Sequence, residues 1–202
     1  MPRIISTERS NQPHVRVRQK EEDDLKKSIQ MEYTDLIRSR ESVRSYDPDR
    51  PVPMKTLKKI LDAGRMAPSA CNNQPWKFLV ISSSVILEKV KACYSRDWFK
   101  DAPHILVVLG LKNQAWNRSY DGYNSVETDV AIAMTHIILA AENEGVGTCW
   151  IAAYNPFLLK EALNTGENQM IFGITPLGYP KPGFKKSMTK KRKPLEEITE
   201  FL

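Results

Sequence analysis

The sequence predicts one mixed domain of helices and β-strands, and three observations predict it. The chain has 202 residues, 41% hydrophobic and 27% charged, a size that suits one well-packed domain and is short for two. His104–Leu111 (HILVVLGL) is a continuous apolar run, as expected of a strand covered on both faces. Segments with helical spacing stand on either side of it. Met54–Met66 places Leu57, Ile60, Leu61 and Gly64 at i, i+3, i+4 and i+7, and Ser125–Glu144 is apolar nearly all round over Val130–Ala141.

The elements follow in order. Residues 1–30 are mixed in charge with few large apolar side chains, so the reading is a flexible extension, with a short helix around Glu21–Gln30. The domain then runs over 31–202. Glu32–Arg40 is expected to be a helix with Tyr33, Leu36 and Ile37 inward. Asp47-Pro48-Asp49 and Pro51-Val52-Pro53 are turns, because proline disfavours helix at the residue before it. Helix Met54–Met66 leads through a polar loop to a strand, Trp76–Ser82, rich in β-branched and aromatic residues. Ser84–Tyr94 is a helix with Val85, Leu87, Val90 and Cys93 facing in. After strand His104–Leu111 comes an aromatic-rich loop, 112–124, in which Trp116, Arg118 and Tyr120 suit either ligand cover or exposed rim. The long helix must be enclosed on most sides, at the centre of a fold or in a dimer interface. Its His136 reads as a core residue rather than a metal ligand, since no further cluster has metal spacing. Gly145-Val146-Gly147 stops that helix. Thr148–Ala153 is a strand, Asn155–Asn164 a helix capped by Asn155 with Pro156 in its first turn, and Gln169–Leu177 another strand. Pro194–Leu202 closes the chain as a strand or short helix.

Charge narrows the partners. The net charge is +6, but residues 181–193 carry seven Lys/Arg and no acid, leaving −1 for the rest. The basic character therefore belongs to one segment, whereas a nucleic-acid binder is expected to spread it over a face. The expectation is no nucleic-acid partner, with polyanion binding by the tail as the competing reading. No run approaches the ~20 apolar residues of a membrane span, and MPRIISTERS lacks the apolar core of a secretory signal. The three cysteines, Cys71, Cys93 and Cys149, are odd in number and widely spaced, which favours a reducing, cytoplasmic setting over a disulfide framework.

One stretch, Leu36–Ser82, carries most of the chemistry. Arg40, Ser42 and Arg44 alternate, so in extended backbone they share a face. Two guanidinium forks and a hydroxyl on one face suit a phosphate or a polarised carbonyl. Ser69, Asn72 and Gln74 add groups that both donate and accept, which match the edge of a heterocycle. The same residues also suit a solvated helix end and ordinary turn formers. Cys71 lies among them with no base marked for it, and no carboxylate pair, Ser/His/Asp set or Cys/His pair emerges.

The motifs R-x-S-x-R-x-Y at 40–46 and A-P-S-x-x-N-x-Q-P-W at 67–76 resemble the opening of the nitroreductase family. The resemblance covers roughly residues 33–200. It implies an α+β nitroreductase-like fold, a central mostly antiparallel sheet flanked by helices, in a homodimer with shared active sites. It implies FMN as cofactor, NADH or NADPH as hydride donor, and reduction of nitroaromatics, quinones or similar flat acceptors by a ping-pong hydride mechanism. The cofactor-binding set it implies is Arg40, Glu41, Ser42, Arg44, Pro68, Ser69, Asn72, Gln74, Trp150, Ile151, Ala152, Lys190 and Arg192. Within it, Gly145–Ile151 (GVGTCWI) is similar to the strand beside the flavin ring, and Arg44 is the expected cation near the ring's pyrimidine edge. Lys190 and Arg192 before Pro194-Leu195 resemble the phosphate-gripping tail, with Lys191 and Lys193 as alternatives by register. No metal and no catalytic side chain are implied, since the flavin carries the electrons. An FMN-storing or sensing protein with little turnover, and members with dehalogenating or ring-oxidising chemistry, fit the same motifs.

Overall fold

β2, His104–Leu111, is the middle strand of an antiparallel sheet ordered β1-β2-β3, with β1 at Trp76–Ile81 and β3 at Gln169–Leu177. This computed structural model describes residues 31–82, 84–187 and 189–202. β2 alternates strictly, as side chains on a pleated strand must. Ile105, Val107 and Leu109 enter one apolar cluster, and Leu106 and Val108 enter the other. The uniform apolar run is therefore two half-cores read from a single strand. One extra residue of β3, Phe172, interrupts the β2–β3 register between Val108 and Leu109.

Among the described residues, six α-helices accompany the sheet: α1 Tyr33–Ser39, α2 Met54–Arg65, α3 Ser84–Lys91, α4 Asp97–Lys100, α5 Val126–Asn143 and α6 Pro156–Leu163. α2 and α5 cover one face through Leu57, Ile60, Val130, Met134, Ile137 and Ala141. The other face receives Leu87 and Val90 of α3, Phe99 of α4 and Leu159 of α6. Two glycines are required by close approach. A Cβ on Gly64 would lie 2.5 Å from Ile137 Cγ1, where α2 meets α5, and one on Gly147 would lie 2.9 Å from Val43 Cβ. Gly145 ends α5 at φ +70°, a conformation that glycine adopts without steric cost. Asn155 caps α6, its Oδ1 accepting from Phe157 N–H (3.0 Å) and Leu158 N–H (3.2 Å). Thr34–Leu202 form one compact unit.

Several expectations are corrected. α1 buries none of its residues, and Ile37 lies exposed. Val85 of α3 also faces solvent, whereas Leu87, Val90 and Cys93 are buried as expected. Thr148–Ala153 is not a regular strand. Gly147 pairs with Gly178 and Ile151 with Ile174, but between them the Thr175 hydroxyl accepts from Cys149 N–H at 2.9 Å, so a side chain replaces the ladder bond. α4 was not anticipated, and Pro194–Leu202 contains only the 3₁₀ turn Leu195–Glu197. His136 is half-buried on the less covered side of α5, with Ile132 and Leu139. The short helix expected at Glu21–Gln30 lies outside the described residues, as does the whole of 1–30.

Candidate functional site

The segment after α1 is held as a strip of extended backbone. Val43 N–H donates to Thr148 O (2.8 Å), Ser42 bridges Thr148 in parallel, and Tyr46 bridges Pro180. Val43 and Tyr46 are buried, and the Tyr46 hydroxyl donates to Val43 O at 2.7 Å. With Val43 pinned inward, Arg40, Ser42 and Arg44 line one cavity of about 510 Å³, and the Glu41 carboxylate between them lines it too. Its far wall is the basic tail: Lys185, Ser187, Thr189, Lys190, Lys191 and Arg192. Cations from chain positions some 150 residues apart thus converge on one space. Arg40 and Ser42 also line a second cavity of about 230 Å³, walled by Thr135, Ile138 and Leu139 of α5 with Thr148 and Trp150. The pair of cavities is cationic at one end and largely apolar at the other.

The tail lies there through side-chain bonds rather than regular structure. Ser187 donates to Glu41 Oε2 from both its N–H (3.1 Å) and its hydroxyl (3.0 Å). Lys186 pairs with Glu142, a carboxylate buried near the end of α5, which also accepts from the Ser39 hydroxyl at 2.7 Å. Lys190 Nζ donates to Ile37 O, in the last turn of α1, at 2.8 Å. Loss of solvent, reinforced by Arg40 and Arg192, lowers the Lys190 pKa from its ordinary value. Beneath the strip, burial raises the Cys149 thiol's pKa, an effect opposed by Arg44, Ser42 and Arg40. A thiol so placed is held protonated.

The other expected residues lie elsewhere. Of Trp150, Ile151 and Ala152, Trp150 alone lines either of these two cavities. Ile151 is buried, and both its backbone groups pair with Ile174 (2.9 and 3.1 Å), while Ala152 is exposed. Pro68, Ser69, Asn72 and Gln74 sit at the opposite end of α5. There Ala70 N–H donates to Asp129 Oδ1 at 2.9 Å, and Asp129 Oδ2 accepts from the Ser125 hydroxyl at 2.7 Å. Asp129 and Glu142 are thirteen residues apart on one helix, roughly 20 Å at the ordinary helical rise. The loop is closed on itself by Gln74 N–H donating to Ser69 Oγ (2.9 Å), and holds Cys71, Asn72 and Gln74 at φ +51°, +55° and +51°. Left-handed backbone at a cysteine and a glutamine is strained and is characteristic of functional loops. In the 112–124 loop, Arg118 forks onto Asp121 (2.8 and 2.6 Å) and Tyr120 stands fully in solvent.

Sequence reasoning did not find Asp129, Glu142 or Ser187. The signal for the first two was an acid inside an otherwise buried helix, since such acids are almost never enclosed unless paired. Nothing in the sequence marks Ser187.

A three-stranded antiparallel sheet with helices on both faces, and a cationic cavity that shares Arg40 and Ser42 with a more apolar one, define an α+β protein. The sequence profile of the nitroreductase family matches residues 37–94 and 87–179, and the chain belongs to that family. A provisionally named NADH dehydrogenase/NAD(P)H nitroreductase of Methanothermobacter thermautotrophicus is 31% identical over 179 residues, covering 85% of this chain and 90% of the relative. The iodotyrosine deiodinase of Thermotoga neapolitana is 25% identical over 175 residues, covering 72% and 87%. Among solved structures, a nitroreductase family protein from Clostridium difficile 630 superposes with TM-score 0.78 at 30% identity, over 85% of this chain and 98% of that one. An FMN-dependent nitroreductase from Clostridium difficile R20291 superposes with TM-score 0.63 at 26% identity, over 75% and 89%.

Proposed function

We propose that the protein is an FMN-dependent oxidoreductase that takes hydride from NADH or NADPH and reduces a flat acceptor such as a nitroaromatic or quinone. The observation that carries the reading is the convergence of Arg40 with Lys190 and Arg192 on one cavity, and the sharing of Arg40 and Ser42 between that cavity and the more apolar one beside Trp150. A phosphate dianion calls for several cations and hydroxyl donors, and a tricyclic ring calls for an apolar slot with polar edges. The residues present fit both demands. Arg40, Ser42, Lys190 and Arg192 would hold the phosphate end, and Ile138, Leu139 and Trp150 would flank the ring. FMN, when bound, supplies the two-electron chemistry, accepting hydride from the nicotinamide and passing the electrons to the acceptor.

A second copy of the chain completes the site. Ser69, Asn72 and Gln74 lie roughly 20 Å from the basic cavity along the same α5, beyond reach of a ligand seated there. In a two-fold pair with antiparallel α5 helices, the N-terminal end of each helix meets the C-terminal end of the other. That pairing delivers one copy's 68–74 loop to its neighbour's cavity. It also covers the half-buried stripe of Ile132, His136 and Leu139.

The test is the visible spectrum of the purified protein. A yellow protein that bleaches with NADH or NADPH and recolours with acceptor is expected. A colourless protein that takes up no added FMN ends the reading. The iodotyrosine deiodinase relative favours one alternative, reductive dehalogenation on the same cofactor, so the acceptor screen includes halophenols beside nitroaromatics and quinones. Retention on nucleic acid that survives FMN saturation would instead assign the tail to a polyanion.

A further inference from the structure

We propose that Glu41 and Ser187 form a latch that positions the cationic tail for the phosphate, which makes Glu41 a positioning residue and not a ligand contact. The inference rests on the FMN reading and concerns the same cavity. Four of the cationic residues lining it, Arg40, Arg44, Lys190 and Arg192, repel one another until an anion arrives. Lost solvent first, and then Arg40 and Arg192, lower the Lys190 pKa, in the direction such repulsion requires. Between the end of β3 at Leu177 and the turn at Leu195 the described residues contain no helix or strand to resist it. What resists it is the pair of Ser187 donors on Glu41 Oε2, at 3.1 and 3.0 Å, in the middle of the tail and one residue from Arg40. The Lys186–Glu142 pair anchors the same stretch from α5, and Lys190 rests on the carbonyl of Ile37. With these attachments, Lys190 and Arg192 face Arg40 before any ligand is present. Such preorganisation improves affinity by lowering the ordering cost of binding.

The sign of the effect separates positioning from simple electrostatics. Removing the Glu41 carboxylate makes the cavity more positive, which by charge alone tightens a phosphate. Loss of a positioning bond weakens it. The experiment titrates full-length apoprotein with FMN and, separately, with riboflavin, which lacks the phosphate, following quenching of flavin fluorescence. Glu41→Ala, which removes the acceptor of both Ser187 bonds, is expected to bind FMN roughly tenfold more weakly. Ser187→Ala, which changes no charge, is expected to move the same way. Glu41→Gln keeps an acceptor for Ser187 and is expected to fall between wild type and Glu41→Ala. Riboflavin affinity is expected to stay unchanged in all three. FMN binding that is unaltered or tighter in Glu41→Ala overturns the latch, as does an equal loss for FMN and riboflavin, which would mark a general loosening of the fold. Wild-type protein that binds neither flavin overturns the latch and the FMN reading together, whereas wild type that binds FMN beside an unaffected Glu41→Ala overturns the latch alone.

Discussion

His104 shows how a single side chain ties the sheet to the entry of α2. Its Nε2 accepts from Val52 N–H at 3.1 Å, so Nδ1 carries the proton and donates to Ser82 Oγ at 2.6 Å. Burial lowers its pKa, so the folded protein holds the imidazole neutral while the unfolded chain protonates it near the ordinary value of about 6.5. Its contribution is therefore complete above that value and is lost as pH falls from about 6.5 toward the lowered folded value. Thermal midpoints of wild type are expected to fall between pH 7 and 5, with a flatter profile for His104→Gln. At the same scale, the sequence revealed Arg40, Ser42 and Arg44 as a shared face because alternation is a local property of extended backbone. It concealed the Glu41–Ser187 bond, because a contact across 146 positions leaves no periodic trace. The left-handed turn at Cys71 was equally hidden, since cysteine carries no turn preference that would announce it.

Packing between α2 and α5 decides what the helices tolerate. With a Cβ on Gly64 only 2.5 Å from Ile137 Cγ1, a methylene one bond from the stiff β-branch, and 3.2 Å from Phe78 Cζ, the helices cannot take a methyl group without shifting. Gly64→Ala is expected to cost about 1–3 kcal/mol by overpacking, despite the better helix propensity of alanine, read as a lowered denaturation midpoint. Helical spacing made α2 legible, apolar runs made α5 and β2 legible, β-branched and aromatic content made β1 legible, and the asparagine-proline pair made the start of α6 legible. Two errors have one cause. The inner face assigned to α1 and the strand assigned to Thr148–Ala153 were read from apolar content, whereas tertiary partners decide burial and pairing. Around α1 no partner within the described chain covers Ile37, and beside Cys149 the Thr175 hydroxyl takes the place of a carbonyl.

For the whole molecule, α5 is the ruler against which the site is measured. It carries the 68–74 loop at one end, through Asp129, and the basic tail at the other, through Glu142. Its all-round apolar middle hinted in the sequence at an enclosing partner, but which functional group lay at which end depended on long-range contacts. In the proposed two-fold pair, each chain lends its loop to one site and its cations to the other. Two damaged chains can then repair each other. A chain with Arg40→Ala and a chain with the Ser69–Gln74 loop replaced by glycine and serine are each expected to lose flavin when alone. Unfolded together and refolded, they form mixed pairs in which one site inherits both lesions and the other inherits none. Half the flavin-binding capacity of each mixed pair is expected to return, measurable as yellow colour regained from two colourless parents. No recovery in verified mixed pairs would place both halves of the site within a single chain.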